Sequence, residues 1–250
     1  MRAKQNTLSL GELPGCETCP ARLVGVCAGV DRNGLNELEA VKIYRRYAPG
    51  ERILLAGRKP GEVATVLTGM ATMSRTQERG TRQIVSLIQP GDLIGQHWQS
   101  ANAFDVEALT HVETCAIKAD SFEALLEGVP GLQARLMTMV LADLDAARSW
   151  LGVLGRKTAR QKLAGLMVVL AMRQNTAPLN SGGCRLDMIL SREQLADLLS
   201  MTFETVSRQI TGLVRDGLLV PRSRRVFDVP DLQALMMASG DDADGGPYQA

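Results

Sequence analysis

Cys16, Cys19 and Cys27 fall in one short stretch near the start of the chain, and a fourth cysteine, Cys115, lies far downstream. A C-x2-C-x7-C loop offers thiolates, the ligands of tetrahedral zinc and of iron–sulfur clusters. In a cytosolic chain of this size, grouped cysteines point to metal or redox chemistry rather than to disulfides. From the residues alone the set stays open between zinc, a cluster and a plain buried Cys115. Cys184, the fifth cysteine, has no place in that spacing.

A second group with chemical use is Thr202, Glu204, Ser207 and Arg208. Ser191-Arg-Glu-Gln194 has the capping-box pattern, and the helix it opens, through Ser200, turns Leu195, Leu198 and Leu199 inward. Met201-Thr202-Phe203 makes a three-residue turn in which Thr202 caps the next helix. That helix, from Phe203 to about Asp216, buries Val206, Ile210, Leu213 and Val214, and Gly217 stops it. Glu204, Ser207 and Arg208, at i, i+3 and i+4, then share the opposite face, where a recognition helix reads base edges. Arginine can bind guanine through two hydrogen bonds, glutamate can accept from cytosine, and serine can contact either strand. Beyond it, Pro221-Arg-Ser-Arg-Arg225 lies between two apolar runs, a hairpin whose basic tip suits phosphates.

These groups need scaffolds, and the chain changes texture to supply them. From Lys42 to Asp120, strand-length apolar runs (ERILL, VATVL, QIVSLI, CAIKA) are punctuated by glycines, the pattern of a small jelly-roll barrel. A short helix near Leu35–Val41 precedes it. Asp120-Ser121 is placed to cap a helix that ends near Gly128. Pro130-Gly131 opens a longer helix to about Leu154, at 1.5 Å per residue roughly 35 Å long. Met137, Val140, Leu144, Ala147, Leu151 and Leu154 alternate three and four apart, an a/d seam for a second copy of the chain. Asp143 and Arg148 fall at g and e, where they can pair across a parallel homodimer. Lys157 to Arg173 reads as an amphipathic helix, Asn175 to Gly183 as a loop and CRLDMIL as a strand. The fold class expected is α+β, with boundaries 1–34 cysteine-rich segment, 35–128 β-roll, 129–155 dimer helix, 156–238 winged helix-turn-helix and 239–250 disordered tail.

Composition narrows the function. Of 250 residues, 45% are hydrophobic and 22% charged, which suits a folded protein and excludes a disordered one. No apolar run approaches the roughly 20 residues that span a bilayer, and the N-terminus lacks a signal peptide's apolar core, so a cytoplasmic protein without membrane attachment is expected. Between Gly155 and Pro230, 12 Lys and Arg stand against 6 Asp and Glu, whereas the rest of the chain carries 16 against 21. One domain is therefore built to meet a polyanion. An enzyme on the barrel would need several histidines and carboxylates, and the chain has only His97 and His111.

Together the β-roll, long helix and winged helix-turn-helix resemble the CRP/FNR superfamily of bacterial transcription regulators from about residue 16 to 235. Glu204-Thr-Val-Ser207-Arg208 is similar to the Glu-x-x-Ser-Arg of the FNR branch. The resemblance implies that Glu204, Ser207 and Arg208 read a palindrome with TTGAT-like half-sites, and that RNA polymerase is a partner. The cyclic-nucleotide branch holds its ligand's phosphate with an Arg-Ser pair, and no arginine lies between Arg82 and Arg135, so cyclic nucleotide binding is not expected.

FNR-type regulators place three cysteines before the β-roll and one inside it. The spacing here resembles that of alphaproteobacterial members. This implies an oxygen-labile [4Fe–4S] cluster on Cys16, Cys19, Cys27 and Cys115, which oxygen converts to a [2Fe–2S] form, releasing the dimer and with it the operator. Ala147 departs from an opposed seam: it brings no repulsion of its own, and Asp143 and Asp145 are the candidates for that part. The alternative is a DNA-binding regulator of the same superfamily whose cysteines bind zinc or form a thiol redox switch.

Overall fold

The computed structural model describes residues 15–78, 80–95, 101–173 and 183–240. His97, residues 175–182 of the expected loop and residues 241–250 of the expected tail lie outside these. The chain forms two compact units, Met1–Met73 with Leu87–Met139 and Ser74–Ser86 with Val140–Ala250.

In the first unit, the cysteine loop runs into α1 (Arg32–Val41), whose N-cap Asp31 accepts from the amide of Gly34 at 2.8 Å. Leu35 and Leu38 make its buried stripe. Along residues 43–118 the strands are β1 (Ile43–Tyr47), β2 (Arg52–Leu54), β3 (Glu62–Thr68), β4 (Ala71–Thr76), β5 (Arg82–Ile88), β6 (Leu93–Ile94), β7 (Asp105–Ala108) and β8 (Val112–Lys118), the end of β4 and most of β5 being counted with the second unit. They form two sheets, ordered β1-β8-β3-β6 and β2-β7-β4-β5.

β8 lies antiparallel between β1 and β3, with Cys115 opposite Tyr44 on one side and Thr65 on the other. Strand alternation gives that sheet two cores. Ala64, Val66, Val112 and Ala116 pack inside the roll, and Val63 and Ile117 pack outward against α1 and α2. This is why β3 is buried almost throughout instead of alternating.

α2 (Ala119–Gly128) begins directly after β8. Its N-cap position is Lys118, which makes no side-chain cap, so Asp120 sits in the first turn and the expected Asp120-Ser121 cap is not formed. The helix starts earlier than the pattern implied, so the N-cap position falls on Lys118, whose side chain has no acceptor to offer an orphan amide. After left-handed Gly131, α3 (Leu132–Arg156) runs 25 residues from the first unit into the second.

α4 (Ala159–Arg173) opens on a reciprocal cap: Thr158 N donates to Gln161 Oε1 at 2.9 Å, and Gln161 N to Thr158 Oγ1 at 3.3 Å. Eight of nine residues from Leu163 to Ala171 are core, including Leu163, Met167 and Leu170. The expected amphipathic helix is thus a central helix, buried around its circumference as α6, α7 and the small sheet pack on it.

α5 (Arg192–Leu199) and α6 (Phe203–Arg215) form the helix-turn-helix. β9 (Cys184–Asp187), β10 (Val220–Pro221) and β11 (Val226–Val229) form the wing sheet, ordered β10-β11-β9. α7 (Leu232–Ala238), capped by Asp231, closes the unit as a helix that the sequence pattern did not single out.

Candidate thiol cavity and nucleic-acid interface

Cys16, Cys19, Cys27 and Cys115 line one cavity between the outer face of the β1-β8-β3-β6 sheet and the cysteine loop. The remaining walls are mostly apolar, among them Val26, Leu38, Val63, Ile117 and Phe122. Cys115 lies on the outer face of the roll, not within its interior: neighbouring Thr114 and Ala116 are the inward pair. All four thiols are half-buried. Among the described residues no three His, Cys, Asp or Glu side chains gather tightly enough to hold a metal ion. Zinc, at about 2.3 Å from each sulfur, would draw the four thiols to within about 4 Å of one another.

The loop is pinned through its backbone. Arg22 donates to the carbonyls of Cys27 and Val30, both at 2.7 Å. Arg135, in the first turn of α3, donates from Nη2 to Val24 O at 2.5 Å and from Nε to Gly25 O at 3.2 Å. Cys16 N donates to Glu39 Oε2 at 2.6 Å, and Glu39 pairs with Lys42 at 2.6 Å. The Lys42 ammonium lies 3.9 Å from Cys16 Sγ and 4.9 Å from the centre of the Tyr44 ring.

Burial, with Glu39 second, pushes the Cys16 thiol up to about 12. Burial, with Cys19 second, does the same to Cys115, also to about 12. Burial also raises Cys27, against the opposing pull of Arg22 and Arg135. The Lys42 ammonium holds the Glu39 carboxyl down at about 2, with the Cys16 thiol assisting. Burial disfavours the charge of Lys42, but Glu39 and Tyr44 outweigh it and raise its pKa. A metal entering this site must displace protons from thiols that otherwise hold them firmly.

In the second unit the capping box is fully formed. Ser191 N donates to Gln194 Oε1 at 2.8 Å, and Gln194 N to Ser191 Oγ at 3.1 Å. The turn bends through Ser200, the one non-glycine residue at positive φ (54°) among the described residues. Thr202 caps α6, its Oγ1 accepting from Thr205 N at 3.2 Å. Val206, Ile210 and Leu213 are buried, while Glu204 and Arg208 are exposed and Ser207 is half-exposed on the other face. Glu204's own backbone amide, with the Thr202 hydroxyl, holds its carboxyl below the usual range, so it stays an acceptor. Arg208 Nη2 rests 3.4 Å from Thr205 Oγ1, and Arg192 of α5 reaches Ser207 Oγ at 3.5 Å. Arg192 brings a cation to the edge of this face that the helix pattern of α6 alone did not supply.

Two family models match the chain, a cyclic nucleotide-binding domain over residues 44–128 and a Crp-like helix-turn-helix domain over residues 161–238. Transcriptional activator protein FnrL of Cereibacter sphaeroides is 40% identical, the match covering 96% of this chain and 99% of that protein. A probable transcriptional activator of Rhizobium leguminosarum bv. viciae is 30% identical over 93% of this chain and 96% of its own. Among solved structures, FixK2 of Bradyrhizobium japonicum superimposes with a TM-score of 0.71 at 25% identity, covering 81% of this chain and 99% of that one. The chain belongs to the CRP/FNR family of transcription regulators.

This FNR-type regulator is no enzyme: its relatives are transcriptional regulators, and its helix-turn-helix is the DNA-binding domain of the family. Among the described residues no helix is long and apolar enough to cross a membrane. On α3 of the regulator, Met137, Val140, Leu144, Ala147 and Leu151 are solvent-exposed in the single chain, and Leu151 is 70% exposed. Leu154 is half-buried. Leu141, 54% exposed, widens the apolar stripe beyond the a/d positions. Within the chain Arg148 pairs with Asp145 at 3.1 Å, one turn away on its own helix.

Sequence reasoning missed Arg22, Arg135 and the Glu39–Lys42 pair. The two arginines act on backbone carbonyls, which leave no trace in residue type. Only Glu39 and Lys42, three apart, carry a signal that could have been read.

Proposed function

We propose that this regulator holds an oxygen-labile [4Fe–4S] cluster on Cys16, Cys19, Cys27 and Cys115, and that the loaded form pairs along α3 and binds a palindromic, TTGAT-like operator to direct RNA polymerase under anaerobic conditions. The observation that carries the reading is one cavity lined by three thiols of a loop and a fourth from β8. Four soft donors with apolar walls suit an iron–sulfur core. When bound, such a cluster supplies a redox-sensitive clip between the loop and the sheet.

The protein's own residues do the rest. Arg22 keeps Cys27 in its turn, Glu39 orients the amide of Cys16, and Lys42 brings positive charge to a site that gains negative thiolates. The exposed stripe of α3 is the surface a second copy would cover. Two copies present two α6 helices to two half-sites, which is how dimeric helix-turn-helix proteins read a palindrome. Weakening the pairing removes one half-site and with it most of the affinity.

The test is anaerobic purification. The wild-type protein should be brown, with iron and sulfide near four each per chain that bleach in air, and Cys115→Ser should lose both. Colourless wild-type protein with about one zinc per chain would replace the cluster by the zinc reading.

A further inference from the structure

Arg135 belongs to two structures at once. Its backbone is in the first turn of α3, where its amide donates to Gly131 O at 3.0 Å. Its side chain leaves the helix and binds the carbonyls of Val24 and Gly25, in the stretch between Cys19 and Cys27. Leu132, three residues before it, and Leu136, the residue after it, are buried in the core that also packs Cys16 and Cys27. Met137 and Val140, immediately beyond, begin the exposed stripe.

The loop it grips packs closely enough that two of its contacts leave no room for a larger residue than glycine. A Cβ on Gly25 would stand 3.0 Å from both Thr65 Cγ2 and Ala21 O, and one on Gly91 would stand 2.8 Å from Val24 Cγ2. A displacement of the carbonyls at Val24 and Gly25 changes the two hydrogen bonds they accept, and so pulls on, or lets go of, the guanidinium. A planar fork with two fixed donors transmits direction as well as distance, which a single flexible ammonium does not.

We infer that Arg135 is the positioning residue that couples the thiol loop to the pairing face of α3, through its two hydrogen bonds to the carbonyls of Val24 and Gly25. The inference rests on the cluster reading above and adds to it the route by which loading biases dimerisation. Coupling of this kind is a difference in dimer affinity between loaded and unloaded protein, and it vanishes when the link is cut even if both ends survive.

The experiment is sedimentation of anaerobic full-length protein, with and without its iron, for wild type, Arg135→Ala and Arg135→Lys, with iron and sulfide measured on each sample. In wild type, loading should tighten the dimer Kd by at least tenfold. In Arg135→Ala the iron and sulfide content should stay at the wild-type level while that ratio falls to within about twofold of one. Arg135→Lys, keeping charge without the fork, should lie nearer to alanine than to wild type. A loaded Arg135→Ala protein that dimerises with the wild-type ratio overturns the inference. So does an Arg135→Ala protein that folds but loses its iron, because Arg135 would then build the site instead of reporting it. If Arg135→Ala does not fold, Arg135→Gln is judged by the same two criteria. Wild-type protein without iron, or with iron but no change in Kd, removes the reading beneath the inference, a failure visible before any variant is made.

Discussion

Asp228 accepts from Arg222 Nε at 2.6 Å, joining the basic tip of the wing to its central strand. The carboxylate is 3% exposed and its second oxygen accepts from Arg185 Nε of β9 at 2.9 Å. The two arginines hold it below the usual carboxylate range. Expected from sequence as one phosphate-binding group, the tip is thus divided in role. Arg222 is engaged in shaping the hairpin, and Arg224 and Arg225 are exposed beyond it.

Asp228→Asn should lower the melting temperature at neutral pH, because one buried acceptor then faces two guanidinium groups without its charge. The pH dependence has a definite sign. A carboxyl depressed in the folded state stabilises fully above its unfolded pKa, about 3.9, and loses that contribution as pH falls through the folded value. The melting gap between wild type and Asp228→Asn should be constant above roughly pH 5 and close as the pH drops below about 4. A gap that widens in acid contradicts the pairing.

Arg208→Ala should reduce discrimination at one operator base pair by roughly 1–3 kcal/mol while leaving binding to unrelated DNA largely intact. Competition binding at fixed salt against operator and scrambled duplex measures the ratio. Arg224→Ala should behave in the opposite way, weakening both duplexes alike and lowering the salt slope by about one. An unchanged operator preference in Arg208→Ala would remove Arg208 from the base-reading set.

What the sequence made legible was local or periodic. The capping box at Ser191 and Gln194, the Thr202 cap and the stop at Gly217 all depend on residues within a few positions of one another, and each forms as expected. The thiol spacing was legible too, yet the outward placement of Cys115 was not, because strand alternation fixes two faces without saying which one the helices will cover. Burial around all of α4 was hidden because polar residues at its start, such as Arg160 and Lys162, mimic an amphipathic pattern. The arginine contacts to Val24, Gly25, Cys27 and Val30 were hidden for a different reason: any residue can offer a carbonyl.

Gly69 and Gly57 make a paired test of backbone against packing. Both have positive φ, +83° and +77°, so alanine at either should cost about 1–2 kcal/mol for the left-handed backbone. At Gly57 nothing lies within 4 Å of the added Cβ, whereas at Gly69 it would stand 2.0 Å from the carbonyl oxygen of His111. Gly69→Ala should therefore melt several degrees below Gly57→Ala, and the difference reports the clash at the β3–β4 turn. Equal melting temperatures would mean that the turn can open without cost.

Leu151 and Leu136 lie on the same helix and should fail in opposite ways. Leu151 is 70% exposed in the single chain, so replacing it by glutamate removes no packing from the fold and should leave the melting temperature of the monomer within a degree or two. If the stripe of α3 is where two copies meet, the same change puts a charge into a seam position and should abolish dimer sedimentation and operator binding together. Leu136, 8% exposed, packs in the core shared with Cys16 and Cys27, and Leu136→Ala should cost roughly 2–5 kcal/mol of folding stability whatever the oligomeric state. A Leu151→Glu protein that remains a dimer would move the pairing surface off this face of α3. A Leu151→Glu protein that unfolds would show that the stripe is already covered within the chain.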